Sequence, residues 1–345
     1  MTSENSYLKR LSPNTGTLWW HDSADPGELR RALAHGAVGV TTNPFLSALA
    51  VLQNRETWQP QIQEVLAAGL DPESKAERLM QIVVCKAAAQ LMPEFERTSG
   101  EHGYVCAQVN PHRAGDREAM LAMARRFCAW SPNITVKLPA TAAGLDVLEE
   151  CTAEGISTTA TVSFTVPQAL AIAERHRQGR ERARARGIPA RKCFAVIMIG
   201  RLDDYLRELA QDQRAGVTEA DLRQAGLAVT KRAYAIFTQQ NYEATILVAA
   251  LRGTYHLTEL AGAKLIMSIA PAWQEPFFSP DVPCEKRIHH EVPEDVIRRL
   301  SSMPEFVRAY EPDGMNPTEF LSYGVSQRTL GQFSESGWKK MEALT

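Results

Sequence analysis

Short apolar runs rich in Val, Ile and Thr recur along the chain. Most of them are continuous instead of alternating apolar with polar residues. This pattern is typical of strands that are buried on both faces of a parallel sheet. Eight such runs are present, and they span residues 17–22, 37–43, 104–109, 134–139, 156–162, 194–200, 245–251 and 264–270.

Amphipathic stretches separate the runs. Asp25-Pro26-Gly27-Glu28 has the form of an N-cap, a Pro in the first helical turn and a capping-box Glu. The connection between the second and third runs is unusually long, and it carries apolar residues at helical spacing between Leu66 and Ala87. The polar tail after Pro271 also contains helix-like segments. We therefore expect helices between all the strands and extra helices in these two places.

A strand followed by a helix eight times is the signature of a closed (β/α)8 barrel. An open doubly wound sheet has the same alternation, but it usually carries a Gly-rich phosphate turn after its first strand. Here the first run ends in Trp20-His21-Asp22-Ser23 without such a turn. We predict an α/β fold, a TIM barrel, as a single domain over residues 1–345. The extra helices follow the second strand and the eighth.

Charge and composition exclude several classes of protein. The chain has 345 residues with 38 Lys and Arg against 40 Asp and Glu, a balance that gives no overall attraction to nucleic acid or an anionic membrane. The stretch Arg175–Lys192 holds seven Arg and one Lys but no interleaved aromatic residues, so it favours a solvated helix and loop over a nucleic-acid site. We expect neither nucleic acid nor a membrane as a partner.

The location of the protein follows from two further observations. Residues 1–10 lack the apolar core of a signal peptide, and no apolar stretch approaches the roughly 18 residues of a membrane span. The six cysteines are scattered and form no CxxC pair. We expect reduced thiols in a cytoplasmic protein.

In a barrel, reactive side chains come from the carboxyl ends of the strands. Polar residues end seven of the eight runs, and they are Asp22, Asn43, Gln108, Lys137, Thr161, Arg201 and Arg252. Lys137 lies among apolar residues, where a charged amine is costly to bury. Burial lowers the pKa of an amine and yields the neutral form that a Schiff-base nucleophile needs. The alternative is a Lys that snorkels to solvent or pairs with a distant carboxylate.

The other residues at the strand ends also have structural alternatives. Asp22 would serve equally as the N-cap of the next helix, and Asn43 would cap a helix that starts with Pro44. Gln108 can bind hydroxyls or water but cannot act as a base at neutral pH. Thr161 is also explained by strand propensity alone.

The two arginines at the ends of late strands have the geometry for bidentate phosphate binding. Loops after late barrel strands often hold phosphate, which favours this role for Arg201 and Arg252. The alternative is a salt bridge, for Arg201 with Asp203 or Asp204.

Four motifs resemble those of the transaldolase family, which includes the fructose-6-phosphate aldolases. They are Val40-Thr41-Thr42-Asn43-Pro44, Val136-Lys137-Leu138-Pro139-Ala140-Thr141, Thr152-Ala153-Glu154-Gly155-Ile156 with Thr161, and Ile199-Gly200-Arg201-Leu202-Asp203-Asp204. The similarity runs from about Thr17 to Pro271, and residues 304–344 resemble the family's C-terminal helices. The long second connection is similar to that of the larger actinobacterial-type members.

This resemblance implies a class I mechanism that uses no metal and no cofactor. Lys137 would form an imine with a ketose phosphate, Asp22 would be the general acid and base, and Thr161 with Gln108 would position a catalytic water. The substrate would be bound by Thr42, Asn43, Arg201 and Arg252. Sugar phosphates would be the substrates, and relatives range from monomers and dimers to larger rings, which makes a homo-oligomer one of the expected assemblies.

Four positions depart from the transaldolase pattern. Gln108 stands where transaldolases carry Glu and the aldolases carry Gln, and Val196 and Ala250 stand where many transaldolases have Ser. Met198 occupies a position that is Phe in transaldolases and Tyr in the aldolases. Three hypotheses follow: a dihydroxyacetone transferase, a lyase on the same scaffold, which Gln108 favours, and a sugar-phosphate-binding protein without turnover.

Overall fold

Eight parallel strands close into a barrel in chain order in the computed structural model, which describes residues 6–345. The strands are β1 (Leu18–Asp22), β2 (Gly39–Thr41), β3 (Tyr104–Gln108), β4 (Ile134–Pro139), β5 (Thr158–Thr161), β6 (Cys193–Met198), β7 (Thr245–Ala249) and β8 (Ile266–Ile269). β8 pairs back with β1, so the sheet has no open edge. The predicted TIM-barrel fold class is confirmed.

Helices surround the barrel and fill both predicted extensions. Between the strands lie α2 (Pro26–Ala34), α3 (Pro44–Gln53), α4 (Arg55–Ala67), α5 (Pro72–Arg97), α6 (Arg117–Phe127), α7 (Ala142–Ala153), α8 (Val166–Ala185), α9 (Ile199–Asp212), α10 (Glu219–Gln239) and α11 (Thr254–Leu260). Outside them lie α1 (Tyr7–Thr15), α12 (Pro271–Gln274), α13 (Glu294–Leu300), α14 (Pro304–Tyr310), α15 (Gly324–Phe333) and α16 (Lys339–Glu342). The three helices α3 to α5 form the long second connection.

The start of α2 matches the sequence prediction in part. Asp25 Oδ1 accepts the main-chain N–H groups of Gly27 at 2.8 Å and Glu28 at 2.9 Å, and Pro26 is the first helical residue. The predicted capping box is not formed, because the Glu28 carboxylate accepts a hydrogen bond from the Ser23 hydroxyl instead. In a capping box, Glu28 would instead accept the main-chain N–H of the N-cap residue, Asp25. The hydroxyl of Ser23 thus competes with that N–H for the Glu28 carboxylate.

Aromatic side chains fill the barrel near the amino ends of its strands. The rings of Trp20 and Phe194 have centroids 4.7 Å apart, and those of Tyr104 and Phe194 are 5.5 Å apart. Gly39 makes room for this cluster, since a Cβ there would lie 2.4 Å from the Trp20 ring. Burying each ring contributes roughly 1.5–3 kcal/mol. Above this plug, the hydroxyls of Thr135 and Thr159 pair at 2.9 Å, and the other polar side chains of the site lie toward the carboxyl ends of the strands.

The end of the C-terminal tail packs against α3, whereas α13 and α14 pack on α10. Between α15 and α16 the chain makes a π-helical turn, Ser334–Trp338, in which Trp338 is fully buried. Gly337 packs directly on α3, because a Cβ at this position would lie 2.5 Å from Phe45 N and 2.6 Å from Pro44 C. The tail is therefore fixed beside the carboxyl end of β2.

The sequence analysis raised expectations about membrane spans, cysteines and the basic stretch of α8. None of the helices within residues 6–345 combines the length and apolar character that a bilayer span requires. All six cysteines are unpaired. Two arginines of α8 pair with carboxylates of α7, Arg175 with Asp146 at 3.0 Å and Arg182 with Glu150 at 2.8 Å. Arg177 pairs with Glu174 of its own helix, and Arg180 pairs with Glu243. The basic stretch is thus a solvated helix end and loop, as predicted.

A pair of glycine substitutions tests the packing of the C-terminal tail. We expect Gly337→Ala to lower the free energy of unfolding by about 1–3 kcal/mol, because the methyl group would meet the main chain of α3. Gly331→Ala is the matched control, since a Cβ at this helical position meets nothing within 4 Å. It should stabilise the protein by roughly 0.5–1 kcal/mol. Urea unfolding measures both, and equal effects would contradict the contact.

Candidate active site

Lys137 lies on β4 with its side chain inside the barrel and only 5% exposed. Its Nζ donates to the main-chain oxygen of Thr42 at 3.1 Å, and no carboxylate among residues 6–345 forms an ion pair with it. Snorkelling and a distant ion pair are therefore both excluded. Burial lowers the pKa of Lys137, against a smaller opposing effect of Cys106 and Asp22. The structure thus favours the neutral amine.

Asp22 ends β1 opposite Thr41 in the register with β2. Its Oδ1 accepts the Thr41 hydroxyl at 2.7 Å, and the Thr41 Oγ1 lies 2.5 Å from the Ser268 Oγ of β8. Protein atoms crowd the carboxyl at the barrel mouth, and this desolvation raises the pKa of Asp22 despite the hydrogen bond from Thr41 and the charge of Lys137. Asp25, not Asp22, caps α2, so Asp22 is left to face Lys137.

Thr41 and Ser268 are two site residues that sequence reasoning missed. The sequence prediction chose Thr42, whose hydroxyl donates to the main-chain oxygen of Cys106 at 2.6 Å and so turns toward β3. Ser268 is the register partner of Trp20, which points into the barrel. Ser268 is also the only polar residue of β8, Ile266–Ile269. The run that contains β8 is the one run for which the sequence analysis named no polar end residue, so an isolated Ser within it could have indicated this site residue.

Gln108 and Thr161 lie on β3 and β5, on either side of β4. Gln108 is the register partner of Lys137, is 2% exposed, and its Oε1 accepts no hydrogen bond. The buried hydroxyl of Thr161 has a weak acceptor, the Met198 Sδ at 3.9 Å. A buried carbonyl oxygen without a donor is a polar atom that a water or a substrate hydroxyl would satisfy. The water-positioning role of these two residues stays a prediction.

Asn43 is the N-cap of α3, as its structural alternative predicted. The Asn43 Oδ1 accepts the Leu46 N–H at 2.9 Å, and Pro44 is the first helical residue. The cap uses only the side-chain oxygen, and the amide nitrogen makes no hydrogen bond to the described residues. Capping and binding of a substrate hydroxyl are therefore compatible at this position.

Arg201 lies in the first turn of α9, not at the end of a strand. The predicted strand 194–200 was wrong at its end, because β6 stops at Met198 and α9 begins at Ile199. The Arg201 Nη2 donates to Gln332 Oε1 at 2.6 Å, and the guanidinium lies over the Phe333 ring at 5.5 Å. Its Nε is buried without a partner. The C-terminal tail thus holds Arg201 at the rim and leaves one donor unused.

Arg252 lies near Arg201 on the loop after β7. Burial and the neighbouring charge of Arg252 lower the pKa of Arg201 to about 10. The alternative for Arg201, a salt bridge with Asp203 or Asp204, is not found among residues 6–345. Asp204 instead accepts from Arg252 Nε at 2.8 Å. The neighbouring charges of Arg201 and Arg252 favour an anion at this side of the mouth. Asp204, which also binds Arg207 at 2.9 Å, offsets part of this positive charge.

A family model described as Transaldolase/Fructose-6-phosphate aldolase matches residues 19–316, which include part or all of every strand. The chain belongs to this family. The resemblance read from the sequence motifs is confirmed.

Several relatives of the chain are named transaldolase. Transaldolase 1 of Streptomyces avermitilis is 32% identical over 252 residues, 69% of this chain and 65% of the relative. Transaldolase of Mycolicibacterium paratuberculosis is 31% identical over 261 residues, 71% of this chain and 69% of the relative. Transaldolase of Mycobacterium tuberculosis is 32% identical over 252 residues, which are 69% of this chain and 66% of the relative. The chain spans about two thirds of the length of these curated relatives.

The departures from the transaldolase pattern change specific contacts. The carbonyl oxygen of Val196 accepts the Ser163 hydroxyl, so a hydroxyl is present beside this position on the neighbouring segment. Ala250 has a left-handed φ of 60°, and its carbonyl oxygen accepts from Arg252 Nη1 at 2.9 Å. Met198 supplies a sulfur to Thr161 where a Tyr would supply a hydroxyl. The arginine side of the site is thus retained while its surroundings differ.

The buried amine gives a stability prediction. Replacing Lys137 by Met should raise the free energy of unfolding near neutral pH by about 1 kcal/mol, since a buried uncompensated amine is removed. The folded-state pKa of Lys137 is lowered, so below its ordinary value of about 10.4 the unfolded chain binds more protons. The wild type therefore loses stability relative to Lys137→Met as pH falls, and the difference narrows toward pH 10.

Urea unfolding at several pH values between neutral and about pH 10 measures this difference. Lys86→Met is the control, because Lys86 is exposed on α5 and far from the barrel interior that surrounds Lys137. A pH-independent difference for Lys137→Met would show that the buried amine keeps its proton.

Proposed function

We propose that the protein is a class I enzyme that transfers a dihydroxyacetone unit from a ketose phosphate to an aldose phosphate through an imine on Lys137. The observation that carries the proposal is the buried Lys137 amine, without an ion pair, in the same barrel mouth as Asp22. Membership of the family and relatives named transaldolase support it.

The first step needs a neutral amine next to a carbonyl. The lone pair of Lys137 Nζ attacks the ketone carbon of the donor to give a carbinolamine. The protonated carboxyl of Asp22, whose pKa is raised, donates its proton to the carbinolamine hydroxyl, which leaves as water and gives a protonated imine with Asp22 as the carboxylate. The lowered pKa of Lys137 supplies the neutral amine without an external base. The imine nitrogen then carries the positive charge that will accept the electrons of the breaking carbon–carbon bond.

Asp22 is the group that moves the proton in the cleavage step. Its carboxylate accepts the proton of the hydroxyl on the carbon beyond the bond that breaks, and the bond electrons pass to the imine. An aldose phosphate leaves as an aldehyde, and the enamine stays on Lys137. A raised pKa makes this carboxylate a better base, and Thr41 with Ser268 holds it in position.

The second half of the reaction reverses these movements with another aldehyde. The enamine carbon attacks the acceptor's carbonyl carbon, and Asp22 returns its proton to the new hydroxyl. Water then hydrolyses the imine and frees the Lys137 amine. Arg201 and Arg252 bind the phosphate, and Asn43 donates to a hydroxyl of the donor from its free amide nitrogen.

The proposal predicts a covalent adduct. Borohydride reduction with fructose 6-phosphate or dihydroxyacetone should give a stable adduct on the peptide that contains Lys137, detected by mass spectrometry. Lys137→Ala should abolish the adduct, while Lys86→Ala, at an exposed Lys of α5, should keep it. An adduct elsewhere, or none with any ketose, would contradict the imine chemistry.

The second candidate is a lyase that releases the three-carbon unit to solvent. Gln108 favours it, because an amide beside Lys137 cannot share a proton with the water relay as a Glu does. Met198 does not favour it, since its sulfur replaces the hydroxyl of the aldolases.

A single assay separates transfer from cleavage. Fructose 6-phosphate is incubated with and without erythrose 4-phosphate, and glyceraldehyde 3-phosphate is measured. We expect steady release only with the acceptor, because the enamine waits on the enzyme for a second aldehyde. Steady release without acceptor would support the lyase, and binding without any turnover would support a sugar-phosphate-binding protein.

A further inference from the structure

A buried hydrogen bond between an Asp and a His lies behind the two arginines and takes no part in the proposed steps. Asp203 of α9 and His256 of α11 are both fully buried, and their Oδ2 and Nε2 atoms are 3.0 Å apart. The other ring nitrogen, His256 Nδ1, accepts the main-chain N–H of Arg252 at 3.2 Å. The pair therefore connects the helix that carries Arg201 with the loop that carries Arg252.

The two contacts determine which nitrogen of His256 carries the proton. A ring nitrogen that accepts an N–H has no proton of its own, so Nδ1 is bare and the proton lies on Nε2 toward Asp203. The carboxylate selects this form of the ring because it can only accept. The ability of His256 Nδ1 to accept the main-chain N–H of Arg252 thus depends on the Asp203 carboxylate of α9.

Asp203 is itself held by a third helix. Its Oδ1 accepts the main-chain N–H of Gly226 on α10 at 2.8 Å. A Cβ at residue 226 would lie 2.5 Å from Ile199 Cγ1 and 2.9 Å from Asp203 Oδ1, so glycine allows the two helices to approach. The orientation of the carboxylate is thereby fixed from both sides.

Arg252 is held at both ends by consecutive residues of α9. Asp204 binds the guanidinium of Arg252 through Nε at 2.8 Å. Asp203 orients His256, whose Nδ1 accepts the main-chain N–H of Arg252. Gly200 of the same helix contacts the side-chain stem, since a Cβ there would lie 2.4 Å from Arg252 Cγ. The spacing of Arg201 and Arg252 is therefore set by one helix.

We propose that Asp203 and His256 are positioning residues that hold the main chain of Arg252 in register with Arg201 and so set the affinity of this site for a phosphate group. The inference rests on the proposed function, which assigns the two arginines to the phosphate of a sugar phosphate. Two like charges repel until an anion arrives, and a fixed main chain spares the cost of bringing them together at binding. His256 touches neither substrate nor reacting atoms.

Two variants of His256 separate its two contacts. In His256→Gln the amide nitrogen takes the place of Nε2 and still donates to Asp203, but the acceptor for the Arg252 N–H is lost. In His256→Asn the shorter side chain places its amide oxygen near the position of Nδ1, which keeps the acceptor and loses the donor to Asp203. A merely structural His would not distinguish the two variants in phosphate binding.

We expect His256→Gln to weaken the binding of inorganic phosphate roughly tenfold, the effect of about one lost hydrogen bond. The KM for fructose 6-phosphate should rise in parallel, with a smaller change in kcat and in the KM for dihydroxyacetone. His256→Asn should lose less phosphate affinity but more thermal stability, since the buried Oδ2 of Asp203 loses its donor and only Oδ1 keeps one, from Gly226. Arg252→Ala removes the guanidinium itself and therefore gives the upper limit for the loss of phosphate affinity in the His256 variants.

Calorimetry with inorganic phosphate and thermal unfolding measure these effects on the intact protein. His176→Gln is the control, because His176 is also a buried histidine, bound at 3.3 Å to the Arg191 main-chain oxygen outside the site. Equal phosphate affinity in wild type and His256→Gln, or equal losses in both His256 variants, would overturn the inference. Phosphate binding needs no turnover, so a failure of the imine chemistry would show in the borohydride experiment and not in this one.

Discussion

The structure depends on keeping one amine buried and without a counter-ion. Lys137 lies in the barrel with a main-chain oxygen of Thr42 as its hydrogen-bond acceptor, so the folded protein favours the uncharged form. This arrangement costs stability, which the closed barrel and the aromatic cluster of Trp20, Tyr104 and Phe194 must offset. A smaller or open sheet would give the amine a route to water.

The groups around this amine divide into two sides of the mouth. On one side, a hydroxyl pair, Thr41 and Ser268, supports the carboxyl of Asp22, and crowding raises its pKa. On the other side, Arg201 and Arg252 concentrate positive charge at the rim. Arg201 nonetheless lies close enough to Asp22 for its charge to oppose part of this rise in pKa, so both groups of residues share one mouth with Lys137.

The sequence predicted the barrel and most of its rim, because doubly buried parallel strands are continuous apolar runs and their ends carry the polar residues. The sequence prediction was wrong or incomplete where a single residue determines where a strand ends or which side chain faces inward. The apolar pair Ile199-Gly200 continues the run of β6 but starts a helix, which moved Arg201 off the strand. β2 is only three residues long, too short to show which of Thr41 and Thr42 faces inward. The partner of Arg252 was also hidden, since Asp204 lies far away in sequence.

The aromatic plug has a consequence for how molecules pass through the site. Because Trp20 and Phe194 seal the far end of the cylinder, everything that reacts at Lys137 enters and leaves by one opening. In the proposed reaction, the first aldehyde must depart before the second can occupy the same passage. Under that proposal the two aldehydes would use one passage in turn, and an excess of either would obstruct the other.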